Sequence, residues 1–203
     1  DITGVTLPIT KHNFFVRDVK FLADTIREAF KIATSGRPGP VLIDIPNDIQ
    51  TAQAEFRSNG KVIPSKPVKS DDDSISKACE MIAECKRPYI YFGGGAVRAG
   101  AGKEILKLAE KIDAFIGCSM MGLSEIPSQT PRFLGMQGMH GHFASSVALA
   151  KSDLMIAVGV RFSDRATGKT DRYALNSKKI HIDADCAEIG KNVSVDLGVC
   201  CDI

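Results

Sequence analysis

The segment Tyr89-Ile-Tyr-Phe-Gly-Gly-Gly95, with Ala101 to Ile112 behind it, decides the fold. Four apolar residues, Tyr89 to Phe92, end on three glycines, as a buried strand does when it turns sharply toward a helix. In Ala101 to Ile112 the residues Ile105, Leu108, Ala109 and Ile112 recur on one side at helical spacing. The same alternation continues outward. Asp71 to Cys85 reads as a helix with Ile75, Cys79 and Ile82 inward, Ala114 to Gly117 as a short strand, and Phe143 to Ala150 as a helix. Leu154 to Val158 and Lys179 to Asp183 read as strands, with Leu197 to Val199 as the last. A long Gly- and Met-rich loop covers residues 118 to 141. This pattern predicts an α/β fold, a Rossmann-like parallel sheet with helices on both faces and right-handed crossovers.

Upstream, Val19, Leu22, Ile26, Ala29, Phe30 and Ala33 form an apolar stripe of helical period, with Asp18 placed to cap it and Gly36 just beyond. Arg37-Pro38-Gly39-Pro40 breaks that helix, and Val41 to Ile45 reads as a buried parallel strand ended by Pro46. One helix and one strand cannot close a core, so residues 1–50 are expected to be part of a truncated α/β domain. Residues 51–69 read as a linker: Gln53, Glu55, Arg57, Ser58, Asn59, Gly60 and Lys61 are polar, and Pro64 and Pro67 stiffen the path. Residues 70–203 form the main domain. The chain opens Asp-Ile-Thr-Gly-Val without Met, as a piece of a longer chain would.

Composition excludes several classes. Lys plus Arg number 26 against 24 Asp plus Glu, a formal charge of +2, which removes the electrostatic case for nucleic acid or an anionic membrane. Aromatics are 6 % and Trp is absent, so a base-stacking platform is not expected. No apolar run approaches the roughly 20 residues that span a bilayer. No basic segment followed by an apolar core marks a secretory signal. The six cysteines (79, 85, 118, 186, 200 and 201) form no C-x-x-C pair. They are expected to be reduced thiols, several of them buried, in a cytoplasmic protein.

In a parallel sheet, ligands bind beyond the carboxyl ends of the strands. Gly93, Gly94 and Gly95 stand at such an end, either as a tight strand–helix turn or as backbone that approaches a phosphate. The string fails the sixth position of G-x-G-x-x-G, and no acidic strand end follows at the dinucleotide spacing. Gly159-Val160-Arg161-Phe162-Ser163-Asp164-Arg165 follows the strand ending at Val158. Its arginines suit phosphate, or pair internally with Asp164. Asp183 could accept ribose or adenine hydrogen bonds, or cap the next turn. In Gly138-Met139-His140-Gly141-His142 the glycines suit backbone wrapped around a flat ligand; His140 and His142 alone are thin support for a metal. His181 reads as a core residue, and Met120 and Met121 as core filler. No nucleophile elbow and no P-loop occur, so the pattern favours a bound nucleotide over a self-contained catalyst.

Taken together, these strings resemble the catalytic large subunits of acetolactate synthase (acetohydroxyacid synthase), a thiamine-diphosphate-dependent family. The resemblance runs almost end to end. It covers Asp1 to His12, Gly36 to Pro46, Gly93 to Gly95, Gly138-Met-His-Gly141, Gly159-Val-Arg-Phe-Ser-Asp-Arg165 with Thr167-Gly168, and His181 to Lys191. It implies that residues 1–50 end a pyrimidine-binding domain and that residues 70–203 are a central FAD-binding domain. The parent enzyme would be a transferase that condenses two pyruvates, or pyruvate and 2-oxobutyrate, with loss of CO2. That reaction belongs to branched-chain amino-acid biosynthesis. Thiamine diphosphate and Mg2+ would be bound by segments outside these residues, so the 203 residues alone are expected to be inactive. No catalytic or metal-binding residue is assigned here. The flavin is not a redox agent in that reaction. Partners implied for the parent are a second copy or a tetramer of itself and a regulatory small subunit.

Position by position, the resemblance implies that Arg37 contacts the flavin from the first domain. Gly93, Gly94 and Gly95 would lie near its phosphates or ribityl chain. Ser119, Met120 and Met121 would form the loop beneath the flavin, followed by Gly138, Met139 and His140. Gly159, Val160, Arg161, Asp164 and Arg165 would make the second nucleotide loop, and Asp183, Ala184, Asp202 and Ile203 the adenine side. The family usually has Asp where Ser163 stands, so one carboxylate contact to the flavin region does not carry over; Ile and Pro where Ala184 and Cys186 stand, which loosens packing near the adenine; and Lys where Asn47 stands, so inferences about the active-site mouth do not transfer. The alternative is a central domain of another thiamine-diphosphate decarboxylase or carboligase that binds no flavin. A lone nucleotide-dependent dehydrogenase is a third reading, disfavoured by the failed fingerprint.

Overall fold

The computed structural model describes residues 1–56 and 67–203. Of the expected linker, Arg57, Ser58, Asn59, Gly60, Lys61 and Pro64 lie outside the described residues. The chain divides into two units, Asp1–Pro67 and Val68–Ile203.

The first unit runs α1 (Ile2–Thr6), β1 (His12–Phe15), α2 (Leu22–Thr34), β2 (Val41–Asp44) and α3 (Asn47–Thr51). Asp18 accepts a hydrogen bond from the Lys20 amide (2.9 Å) at the start of a 3-10 turn, Val19–Phe21, that leads into α2. The Lys11 ammonium donates to the Ile32 carbonyl (2.7 Å) and to that of Ser35, satisfying the exposed end of α2. β2 pairs in parallel with β1, His12 opposite Val41. Among its described residues the unit therefore holds two strands where the sequence reading has one. β1 begins His12-Asn13, two polar residues that hide its strand character. β2 is half-buried throughout and ends at Asp44.

The second unit is α4 (Asp72–Glu84), β3 (Pro88–Phe92), α5 (Gly94–Ala99), α6 (Gly102–Ile112), β4 (Phe115–Cys118), β5 (Phe133–Met136), α7 (Phe143–Lys151), β6 (Leu154–Val158), α8 (Asp164–Thr167), β7 (Lys178–Asp183) and β8 (Leu197–Cys200). Asp71 caps α4, accepting from the Ser74 amide (2.7 Å) and its hydroxyl (2.8 Å). The six strands lie in the order β5-β4-β3-β6-β7-β8. All are parallel. The winding starts at β3, runs outward to β5, and restarts at β6 on the other side of β3. This is the doubly wound plan expected from the alternation.

β3 and β6 are buried along their whole length. Their residues alternate between two cores. Ile90, Phe92, Leu154 and Ile156 face one, with Ile105 and Ala109 of α6. Tyr89, Tyr91, Met155 and Ala157 face the other, with Leu149 of α7. Helices on both faces explain why these strands read as unbroken apolar runs. Tyr89 keeps its hydroxyl bonded to Ser145 of α7 (2.7 Å). Gly117 of β4 leaves the space for it, since a Cβ there would collide with that hydroxyl.

Several expectations need correction. α4 turns Ala78, Met81, Ile82 and Cys85 to the core, while Ile75 and Cys79 are exposed. Ile75 sits in the first turn, and the helix is rotated so that its stripe starts at Ala78. The turn after β3 contains the short helix α5. The 118–141 loop contains a 3-10 turn (Met120–Gly122) and edge strand β5. Met120 and Met121 are not core filler: they are 75 % and 72 % exposed. Finally, Cys186 and Cys200 form a disulfide instead of two reduced thiols, with Cα atoms 5.2 Å apart. Cys118 and Cys201 are free and buried, as expected of small apolar side chains.

Candidate functional site

Because the six strands are parallel, their carboxyl ends share one rim. Five inter-strand gaps make it about 24 Å long. Along it the sheet order sets Gly138 to His140 past β5, Ser119 to Met121 past β4, and Gly93 to Gly95 past β3. Then come Gly159 to Arg165 past β6, Asp183 and Ala184 at β7, and Asp202 and Ile203 past β8. The rim thus gathers every candidate of the second unit in one row. Arg37 belongs to the first unit, half-buried in the bend after α2.

At five of the six exits an amide bonds back into the sheet. Ser119 donates to Phe92 (2.9 Å), Gly93 to Val158 (3.0 Å), Gln137 to Cys118 (2.9 Å), Gly159 to Ile182 (2.9 Å) and Cys201 to Asp183 (3.1 Å). The winding reverses between β3 and β6, and there the backbones approach closely. The Gly95 amide donates to the Gly159 carbonyl at 3.0 Å. A Cβ on Gly159 would stand 2.6 Å from the Ala96 nitrogen and the Gly95 Cα, and its φ is +60°. These glycines serve backbone-to-backbone contact, and the Gly93 and Gly95 amides are already engaged. The Gly94 amide makes no bond among the described residues.

The loop past β5 arches across to the loop past β6. Met139 donates its amide to the Arg165 carbonyl at 2.8 Å. Gly138, at φ +110°, has no room for a Cβ against that carbonyl. Gln137, buried, donates its amide side chain to the Tyr173 hydroxyl, and its Oε1 has no partner among the described residues. Met139 is exposed like Met120 and Met121, so three thioethers stand open on the β5–β4 half of the rim. His140 and His142 are exposed, and no group of three or more metal-ligating side chains occurs among the described residues.

Charge lies on the other half. Phe162 has φ +46° and is buried, its ring 5.0 Å from His181 and 6.0 Å from Tyr173. That inversion turns Phe162 into the core beside an outward Arg161. The Arg161 Nε stands 3.8 Å from Glu188, whose carboxylate is buried and also meets the Lys191 ammonium at 3.2 Å. Arg165 pairs with the adjacent Asp164 at 2.8 Å, both highly exposed. Val160 is buried beneath. Asp183 accepts from the Asp185 amide (2.9 Å), the turn-capping geometry. Asp202 is exposed, and Ile203 rests on the first core.

His181 is a core residue, as read: fully buried, its Nε2 donates to the Val160 carbonyl at 2.9 Å. Burial lowers its pKa despite that bond. Glu188 and Gln137 escaped the sequence reading. Glu188 has only its i+3 lysine as a local signal, and nothing marks Gln137 before its contact with Tyr173 is known.

The rim's chemistry fits a dinucleotide: open thioethers for a flat ring, guanidinium groups for phosphates, carboxylates for a ribose or base edge. The family described as "Thiamine pyrophosphate enzyme, central domain" matches residues 75–203. The chain is 44 % identical over 206 residues to "Acetolactate synthase" of Mycobacterium leprae (strain TN), covering 100 % of this chain and 33 % of that protein. It is 43 % identical over 205 residues to "Probable acetolactate synthase large subunit" of Methanocaldococcus jannaschii, covering 98 % and 35 %. It is 43 % identical over 192 residues to "Acetolactate synthase isozyme 1 large subunit" of Escherichia coli (strain K12), covering 94 % and 34 %. The chain spans about a third of the length of these curated relatives.

Proposed function

The chain belongs to the thiamine pyrophosphate enzymes, whose central domain it carries, and from that premise we propose that it is the FAD-binding portion of an acetolactate synthase large subunit. The parent condenses two pyruvates, or pyruvate and 2-oxobutyrate, with release of CO2, a step toward branched-chain amino acids. Thiamine diphosphate and Mg2+ are held by other segments of the parent. It works in the cytoplasm as a homodimer or homotetramer with a regulatory small subunit. Among the described residues no helix is long and apolar enough to cross a membrane.

One observation carries the reading: six strand ends line up side chains of three chemistries in the order a dinucleotide presents them. Met120, Met121 and Met139, with Ser119 and His140, offer the ring an apolar surface with polar edges. Arg161 and Arg165 neutralise the diphosphate next to the closely packed Gly93, Gly94, Gly95 and Gly159. Asp183, Ala184, Asp202 and Ile203 hold the adenosine end. Bound there, FAD acts as a nucleotide that shapes the site and passes no electrons. The runner-up, a central domain that binds no nucleotide, draws support from the engaged Gly93 and Gly95 amides and from the internal Asp164–Arg165 pair.

Purified from its complete reading frame, the protein is expected to carry flavin absorbance. Saturating FAD at about 100 times its Kd should add about 2.7 kcal/mol of stability. Arg161→Ala with Arg165→Ala should weaken FAD binding about tenfold or more while the far-ultraviolet spectrum is unchanged. A colourless protein whose Tm is indifferent to FAD would establish the structural reading instead. The 203 residues alone, given pyruvate, thiamine diphosphate and Mg2+, are expected to form no acetolactate in a colorimetric assay.

A further inference from the structure

We propose that Cys186 and Cys200 form a thiol–disulfide modification site that latches the loop after β7 to the end of β8 and thereby tunes nucleotide affinity. The inference rests on the FAD reading above. β7 and β8 are neighbours, with Asp183 directly opposite Cys200. Cys186 lies in the turn just beyond Asp183, and the bridge closes across that gap with Cα atoms 5.2 Å apart. It therefore joins the two segments assigned to the adenosine end, Asp183-Ala184 on one side and Asp202-Ile203 on the other.

The tethered loop has a second task. It carries Glu188, whose buried carboxylate faces Arg161 at 3.8 Å and Lys191 at 3.2 Å. Short-range bonds shape the turn: Asp185 donates to the Asp183 carboxylate (2.9 Å), Ala187 to that of Asp185 (3.1 Å), and Glu188 to the Asp185 carbonyl (3.0 Å), while further along Asn192 donates to the Arg161 carbonyl (3.0 Å). Against β8 the loop packs Ile189 on Gly198, where a Cβ would stand 2.5 Å from the Ile189 side chain. The disulfide adds a covalent link to that packing, and through Glu188 it reaches Arg161.

The site is open to exchange. Cys186 is exposed and Cys200 half-buried, whereas neighbouring Cys201 is buried. The oxidant is a small-molecule disulfide such as glutathione disulfide. The Cys186 thiolate attacks one of its sulfurs and expels one thiolate. The Cys200 thiolate then attacks the Cys186 sulfur of the mixed disulfide and expels the second. Two protein thiols lose two electrons and two protons, and the small disulfide is reduced to two thiols.

The chain is equilibrated in glutathione buffers from reducing to oxidising and quenched by alkylation. Mass spectrometry then counts free thiols and maps linked peptides. The oxidised form should lose two alkylation sites, with Cys186 linked to Cys200. Amides between Ala184 and Lys191 should exchange more slowly in it. FAD, followed by flavin fluorescence, should bind it about fivefold or more tightly than the reduced form. Cys186→Ser should bind as the reduced form does and ignore the buffer. Full alkylation throughout, a link through Cys201, or equal exchange in both forms overturns the latch. FAD that binds both forms equally overturns the tuning. FAD that binds neither form overturns the flavin reading beneath it and the tuning with it, while the exchange arm still decides the latch.

Discussion

Gly159 is the residue on which the rim depends most closely. Its φ of +60° and a Cβ that would fall 2.6 Å from backbone atoms of Gly95 and Ala96 exclude a side chain for two independent reasons. Gly190 shares the first reason and not the second: φ is +71° and the nearest atom is 4.0 Å away. Gly159→Ala should therefore cost about 2–4 kcal/mol and Gly190→Ala about 1–2 kcal/mol, read as shifts of the urea midpoint. Equal losses would mean that backbone hand alone, without the close approach, sets the requirement. A glycine's necessity was legible at this strand end, but its purpose was not. In sequence terms the run at 93–95 suits both a phosphate cradle and a tight turn, and its close approach to Gly159 emerges only in the folded chain.

At the scale of the element, β7 carries a buried imidazole whose titration reports on the fold. Burial is the largest influence on His181 and holds its pKa below the ordinary 6.5, while the Val160 carbonyl, Asp183 and Glu188 pull upward. The unfolded chain takes up this proton more readily than the folded one. Stability from this group is thus complete above about pH 6.5 and falls as the pH drops from there toward the folded value. His181→Asn should flatten that part of the pH–stability profile, above the carboxylate range, when urea midpoints are compared. An unchanged slope would place the proton uptake elsewhere. Other elements show what makes a strand readable. Leu154–Val158 was legible to the residue because five apolar positions stand between Asp153 and Gly159. β5 was not: Gly135 interrupts it at φ +79°, and its pairing with β4 shifts register between Ile116 and Cys118. The Cys186–Cys200 bond was unreadable because it depends on β7 and β8 being neighbours, which spacing along the chain does not reveal.

For the whole molecule, the doubly wound sheet was legible because both faces of β3 and β6 are covered, leaving runs that no half-exposed strand would show. The row of candidate residues followed from the same fact, since parallel strands send all their exits to one side. Hidden was the wiring between exits, such as the Met139 amide on Arg165 and Glu188 beneath Arg161, which only the folded chain brings together. The order of the strands has a consequence for how the chain comes into being. β3, the most deeply enclosed strand, pairs with β4 soon after it is made, but its other edge waits for β6, Pro88 being matched with Leu154. Until the ribosome has delivered that distant partner, the nascent sheet presents an edge of unpaired backbone groups on an apolar strand. High contact order of this kind slows closure and favours pairing with the wrong chain. Crowded synthesis is then a stage at which this fold is exposed to mispairing.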